Sequence, residues 1–134
     1  MMENSDTKMK WLIILYKYNV VTLISTGLVL IFIPDVFNAI LGIPKQDPYF
    51  YGVVGSVWFM FGILSFLGLR SPVKFVPVLM LQLGYKLIWL VFIALPTLMD
   101  GFHPFYSIFL IICMLSYVVL DFKAIPFHMV FTVE

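Results

Sequence analysis

Charge and cysteine are the scarce commodities of this chain. Of its 134 residues only 11% are charged, against 63% hydrophobic. Soluble domains carry about 25% charged residues, so there is too little here to keep a water-facing surface wet. The formal net charge of +1 includes no basic stripe, which excludes a nucleic-acid partner, since nothing would neutralise phosphates. Cys113 is the single cysteine, so neither an intrachain disulfide nor a thiolate metal site can form. The two histidines, His103 and His128, flank the last apolar run on opposite sides and cannot share a metal.

Long apolar runs are what the chain has instead. Residues 11–33, 50–69, 73–95 and 105–125 are each about 20 residues or more, enough to cross a hydrocarbon layer roughly 30 Å thick as helices. They must be helical, because lipid satisfies no backbone hydrogen bonds and four strands cannot close a barrel. The first run exceeds a signal-peptide core and no small-residue cleavage site follows it, so it is expected to remain as a span. The expected fold is all-α: a single four-helix membrane bundle over residues 1–134. Its tyrosines and tryptophans gather near the run ends, where amphipathic rings favour the membrane interface.

The connections differ in kind. Residues 1–10 are polar and expected to fray. Arg70-Ser71-Pro72 is expected to be a tight turn making spans 2 and 3 an antiparallel hairpin, and residues 96–104 a short loop. In residues 34–49, Asp35 is placed to cap a short helix and Gly42 to end it, with Val36, Phe37, Ile40 and Leu41 on one side. That pattern predicts an amphipathic helix lying on the membrane surface. Lys8, Lys10, Arg70, Lys74 and Lys123 fall on one side of the bundle and Lys45 on the other, which predicts cytoplasmic termini.

Polar groups inside the spans need a reason to be there. At about 100° per residue, Gln82, Tyr85, Lys86 and Trp89 share one arc of span 3. Lys86 lies roughly 17 Å from the inner end of its helix, near mid-membrane. An ionised amine there costs several kcal/mol unless it finds water or a partner, or loses its proton. Span 1 presents Tyr18, Asn19, Thr22, Ser25 and Thr26 on one face, with Lys17 turned away and placed to snorkel to lipid phosphates. Span 4 presents Tyr106, Ser107, Cys113, Tyr117 and Asp121. For Asp121 two readings stand: an interfacial carboxylate paired with Lys123 or Lys17, or a buried acid held by tyrosine or asparagine. Gly52, Gly55, Ser56 and Gly62 form a small-residue stripe on span 2, expected to pack on span 3 or span 1.

No paired-carboxylate site, Ser/His/Asp set, phosphate loop or haem histidine pair is present, so no catalytic residue, metal or cofactor is assigned. Lys86, Gln82, Tyr85, Trp89, Asn19, Tyr117 and Asp121 are the candidate ligand-binding residues, lining an amphipathic cavity for a lipid-like molecule or quinone.

The run YGVVGSVWFMFG at 51–62, KLIWL at 86–90 and LDFKAIPF at 120–127 resemble small four-span bacterial membrane proteins of the DoxX-like type. The resemblance is one of pattern and length over nearly the whole chain, with the ending at Asp121-Phe-Lys-Ala-Ile-Pro126 its most distinctive part. It implies the four-helix fold and a bacterial inner membrane. The family's name derives from a membrane subunit of a thiosulfate:quinone oxidoreductase, which implies a quinone-linked redox partner, although no redox cofactor motif stands in this sequence. Three activities thus compete: a small-molecule-binding or accessory membrane subunit, an oligomeric proton-coupled transporter using Lys86 or Asp121, and a subunit of a quinone-linked oxidoreductase.

Overall fold

The computed structural model describes residues 2–101 and 103–132. Among them the regular secondary structure is all helical: α1 (Met2–Phe32), α2 (Pro34–Leu41), α3 (Pro48–Gly68), α4 (Val76–Trp89), a π-helical stretch (Leu90–Ala94) leading directly into α5 (Leu95–Met99), α6 (Phe105–Ala124) and α7 (Phe127–Phe131). Four stretches are long and apolar enough to cross a bilayer: Thr7–Phe32, Pro48–Gly68, Val76–Met99 and Phe105–Ala124. The molecule is a multi-pass membrane protein built as a four-helix bundle. Large apolar side chains such as Phe32, Phe50 and Phe92 face outward, as they must where the solvent is acyl chain.

Several boundaries differ from the sequence reading. The head does not fray from Met2 onward; it extends α1 to 31 residues, about 46 Å. Lys8 helps hold it, its Nζ donating to the Ile125 carbonyl at 3.2 Å just past the end of α6. The third span starts at Val76 rather than 73, because Pro77 sits in the first turn of α4, where a missing N–H costs nothing. The turn before it therefore covers residues 69–75. Pro96 does not end this span either. The helix loosens into a π turn, with Leu95 N–H bonding to the Leu90 carbonyl, and runs on to Met99. A one-turn π stretch is a usual way for a helix to absorb a break in its ladder.

The tightest packing is α1 against α3. A Cβ built on Gly27 would stand 2.8 Å from both the Gly55 carbonyl and the Phe59 amide, so the two backbones approach as only glycine permits. Gly55, Gly62 and Gly68 are buried, whereas Gly52 meets nothing within 4 Å and Ser56 is exposed. The stripe faces span 1, and its working members are Gly55, Gly62 and Gly68. Tyr16, fully buried, lies over Gly68 and donates its hydroxyl to the Pro72 carbonyl at 2.7 Å, tying the α3–α4 turn to α1.

α2 is short and starts with Pro34 at its first position. Asp35 is not its cap: Ile33 occupies that place without a side-chain bond, and Asp35 sits inside the first turn, where a carboxylate suits the helix dipole. Gly42 ends it at φ 71°, the left-handed conformation that glycine adopts freely. The Tyr51 hydroxyl donates to Asn38 Oδ1 at 2.6 Å, fastening α2 to α3.

Candidate functional site

Two polar assemblies occupy the bundle interior. The first is a hydrogen-bonded knot. Asn19 Nδ2 donates to Ser65 Oγ at 3.1 Å and to Gln82 Oε1 at 3.0 Å, and Gln82 Nε2 returns a bond to Asn19 Oδ1 at 3.2 Å. All three residues are at most 1% exposed, and they join α1, α3 and α4. Each amide is satisfied by another, so burial in an apolar interior is affordable without any ligand.

The second centres on Lys86, which is 1% exposed. Its Nζ sits 3.6 Å from the centre of the Tyr117 ring and 5.4 Å from that of Tyr85. Rings at these distances present their negative faces to a cation. Asp121, 0% exposed, lies one turn beyond Tyr117 on α6, the helix whose ring the Lys86 amine contacts. Yet neither Lys86 Nζ nor either Asp121 oxygen has a hydrogen-bond partner among the described residues. Among the side chains described, those of residues 7–101 and 103–132, Lys86 and Asp121 are the two charge-bearing ones that are buried.

The readings of Asp121 are thereby sorted. The acid is buried and faces the bundle, but no tyrosine or asparagine hydrogen-bonds it. It does not pair with the surface lysines: Lys17 is exposed, and Lys123 lies over the Trp11 ring at 4.8 Å.

Lys86 also forms part of the wall of a cavity of about 550 Å³. On α1 the cavity runs from Tyr18 to Val29, roughly 16 Å along the axis. At one end are Lys86, Tyr85 and Tyr117; at the other, α2 turns Val36, Phe37, Ile40 and Leu41 onto it. The apolar side of α2 recognised in the sequence is thus the side that borders the cavity. Thr22 reaches Tyr117, the two hydroxyls sharing a hydrogen bond, and the Tyr18 and Tyr117 rings pack at 4.6 Å between centres, tilted by 32°. Trp58, Phe109 and Cys113 complete the sides. Size and lining are those of a small-molecule site: mostly apolar, with a few converging polar groups.

The seven candidate residues therefore divide. Lys86, Tyr85 and Tyr117 line the cavity; Asp121 is buried outside its lining, one turn from Tyr117; Asn19 and Gln82 belong to the neighbouring knot. Trp89 is apart from them. It borders a smaller cavity, about 130 Å³, shared with Thr97, Tyr106 and Ser107. Sequence reasoning missed Ser65, Trp58 and the cavity-facing role of Tyr18 and Thr22. The signal for the last two was present, since both belong to the polar face of span 1.

Comparison of the chain with family models, curated proteins and solved structures gives no match.

Proposed function

We propose that this protein binds a hydrophobic small molecule, of lipid or quinone type, within the membrane, alone or as an accessory subunit of a larger membrane assembly. The observation that carries the proposal is the Lys86 amine: buried, without an acceptor, and in the wall of an apolar cavity. A buried donor left without a partner costs about 1–3 kcal/mol, more if it is charged. A ligand that brings an oxygen to the polar end of the cavity recovers that cost, while its apolar body replaces contacts among side chains. The direct test is extraction of the purified protein and mass spectrometry of what comes with it. A discrete species that is enriched over bulk lipid, and lost from Lys86→Met, is the expected result. Bulk lipid alone, identical in parent and variant, refutes the reading.

The basic residues, five on one side of the bundle against Lys45 on the other, support cytoplasmic termini, and the DoxX-like pattern supports the bacterial inner membrane. In that orientation α2 and its end of the cavity face the outer leaflet. Reporter fusions at the C-terminus that are active only outside the cytoplasm would contradict it.

A second reading, proton-coupled transport by an oligomer, draws on the Lys86–Asp121 pair, since intramembrane acids and bases relay protons in many transporters. Solute-driven proton flux in liposomes, abolished by Lys86→Met, is what it requires. Equal flux in the variant rejects it.

A further inference from the structure

We infer that the cavity takes an uncharged amphiphile whose head accepts hydrogen bonds, and that it discriminates against permanently charged amphiphiles; the inference rests on the binding reading given above. The argument is one of charge balance. Lys86 and Asp121 are the buried charge-bearing groups among the described side chains, and both lie by Tyr117: the amine 3.6 Å from the centre of its ring, the acid one turn further along α6. Whether both are ionised or both neutral, the pair sums to zero. Transfer of a proton between them leaves that sum unchanged.

A ligand anion beside Lys86 would raise the buried charge to a net −1, because Asp121 already answers the amine. A ligand cation would leave a net +1. Among the side chains of residues 7–101 and 103–132, no other Lys, Arg, His, Asp or Glu is buried to compensate either one, and an uncompensated charge in an apolar interior is strongly disfavoured. An ester, ketone or alcohol oxygen adds no charge and still accepts from the Lys86 amine, which has donors in either protonation state. Asp121 thus acts as a selectivity residue without touching the ligand: it lies outside the cavity wall and sets the charge the wall can tolerate.

The experiment is a competition on the full chain in detergent micelles, read by native mass spectrometry. The probes are the methyl ester and the sulfonate of one alkyl chain. Only binding that disappears when Cys113, in the cavity wall, is alkylated with a bulky maleimide is counted as cavity binding. The parent is expected to prefer the ester by at least about tenfold. In Asp121→Asn, where Lys86 is left without its counter-charge, the preference is expected to vanish or reverse toward the sulfonate. Equal or tighter sulfonate binding by the parent overturns the charge-balance inference and leaves the binding reading intact. An ester preference that persists in Asp121→Asn also overturns it. Absence of cavity binding for both probes defeats the binding reading itself. Should Asp121→Asn fail to fold, the parent comparison alone decides.

Discussion

The Lys86 amine stands 3.6 Å above the face of the Tyr117 ring, on the helix that also carries Asp121. Tyr117 therefore serves two neighbours at once, as a π-surface for the amine and as a hydrogen-bond partner for Thr22. The two roles separate by substitution. Tyr117→Phe keeps the ring and loses the hydroxyl, and is expected to cost about 1 kcal/mol or less. Tyr117→Leu loses the ring face as well and is expected to cost about 2 kcal/mol or more. Equilibrium unfolding in mixed micelles measures both. Equal losses would mean that the ring face contributes nothing to holding Lys86.

Lys86 and Asp121 are expected to be coupled. Removing one member of a buried charged pair leaves the other uncompensated, at roughly 3–5 kcal/mol when the survivor stays ionised. Lys86→Met and Asp121→Asn should each destabilise the bundle by a few kcal/mol, while the double variant should recover much of the loss. A double-mutant cycle by the same unfolding assay gives the coupling. Strict additivity would show that the two side chains act independently.

Gly27→Ala is expected to destabilise by about 2 kcal/mol. The added methyl would meet the backbone of α3 at 2.8 Å, and backbone cannot step aside as a side chain can. Gly52→Ala and Gly84→Ala are the controls: neither would meet anything within 4 Å, and helix propensity favours alanine by up to about 1 kcal/mol. Thermal denaturation in one detergent ranks the three. Gly27→Ala matching its controls would refute the close α1–α3 approach.

Cys113, half-buried and in the cavity wall, reports on the cavity's cover. An apolar maleimide is expected to label it faster than a sulfonated one of similar size. Trimming α2 with Phe37→Ala should raise the rate severalfold. Mass spectrometry of the intact chain follows the reaction; no change in rate on trimming α2 would mean that α2 does not limit access.

The sequence made the four spans legible because acyl-chain solvent imposes a crude, strong pattern: long apolar runs with polarity only where it has a use. Lys86 stood out for the same reason, as did the apolar side of α2. What was not legible was decided by contacts between helices. Asn19 and Gln82 look like site residues on a helical wheel, yet Ser65 meets Asn19 and completes a closed knot with Gln82. Trp89 shares an arc with Lys86, but borders the cavity against Tyr106 and Ser107 instead. Pro96 reads as a terminator, because a helical ladder that loses one bond can either stop or widen, and sequence alone does not choose between them.

The glycine contact between α1 and α3 has a mechanical outcome. Helices joined backbone to backbone along such a seam behave as a single stiff beam. α6, by contrast, meets α1 through side chains, Tyr117 against Tyr18 and Thr22, and α2, bounded by Pro34 and Gly42, is fastened to α3 by the Tyr51 hydroxyl. Substitution is therefore expected to be tolerated least along the α1–α3 seam, where backbone meets backbone.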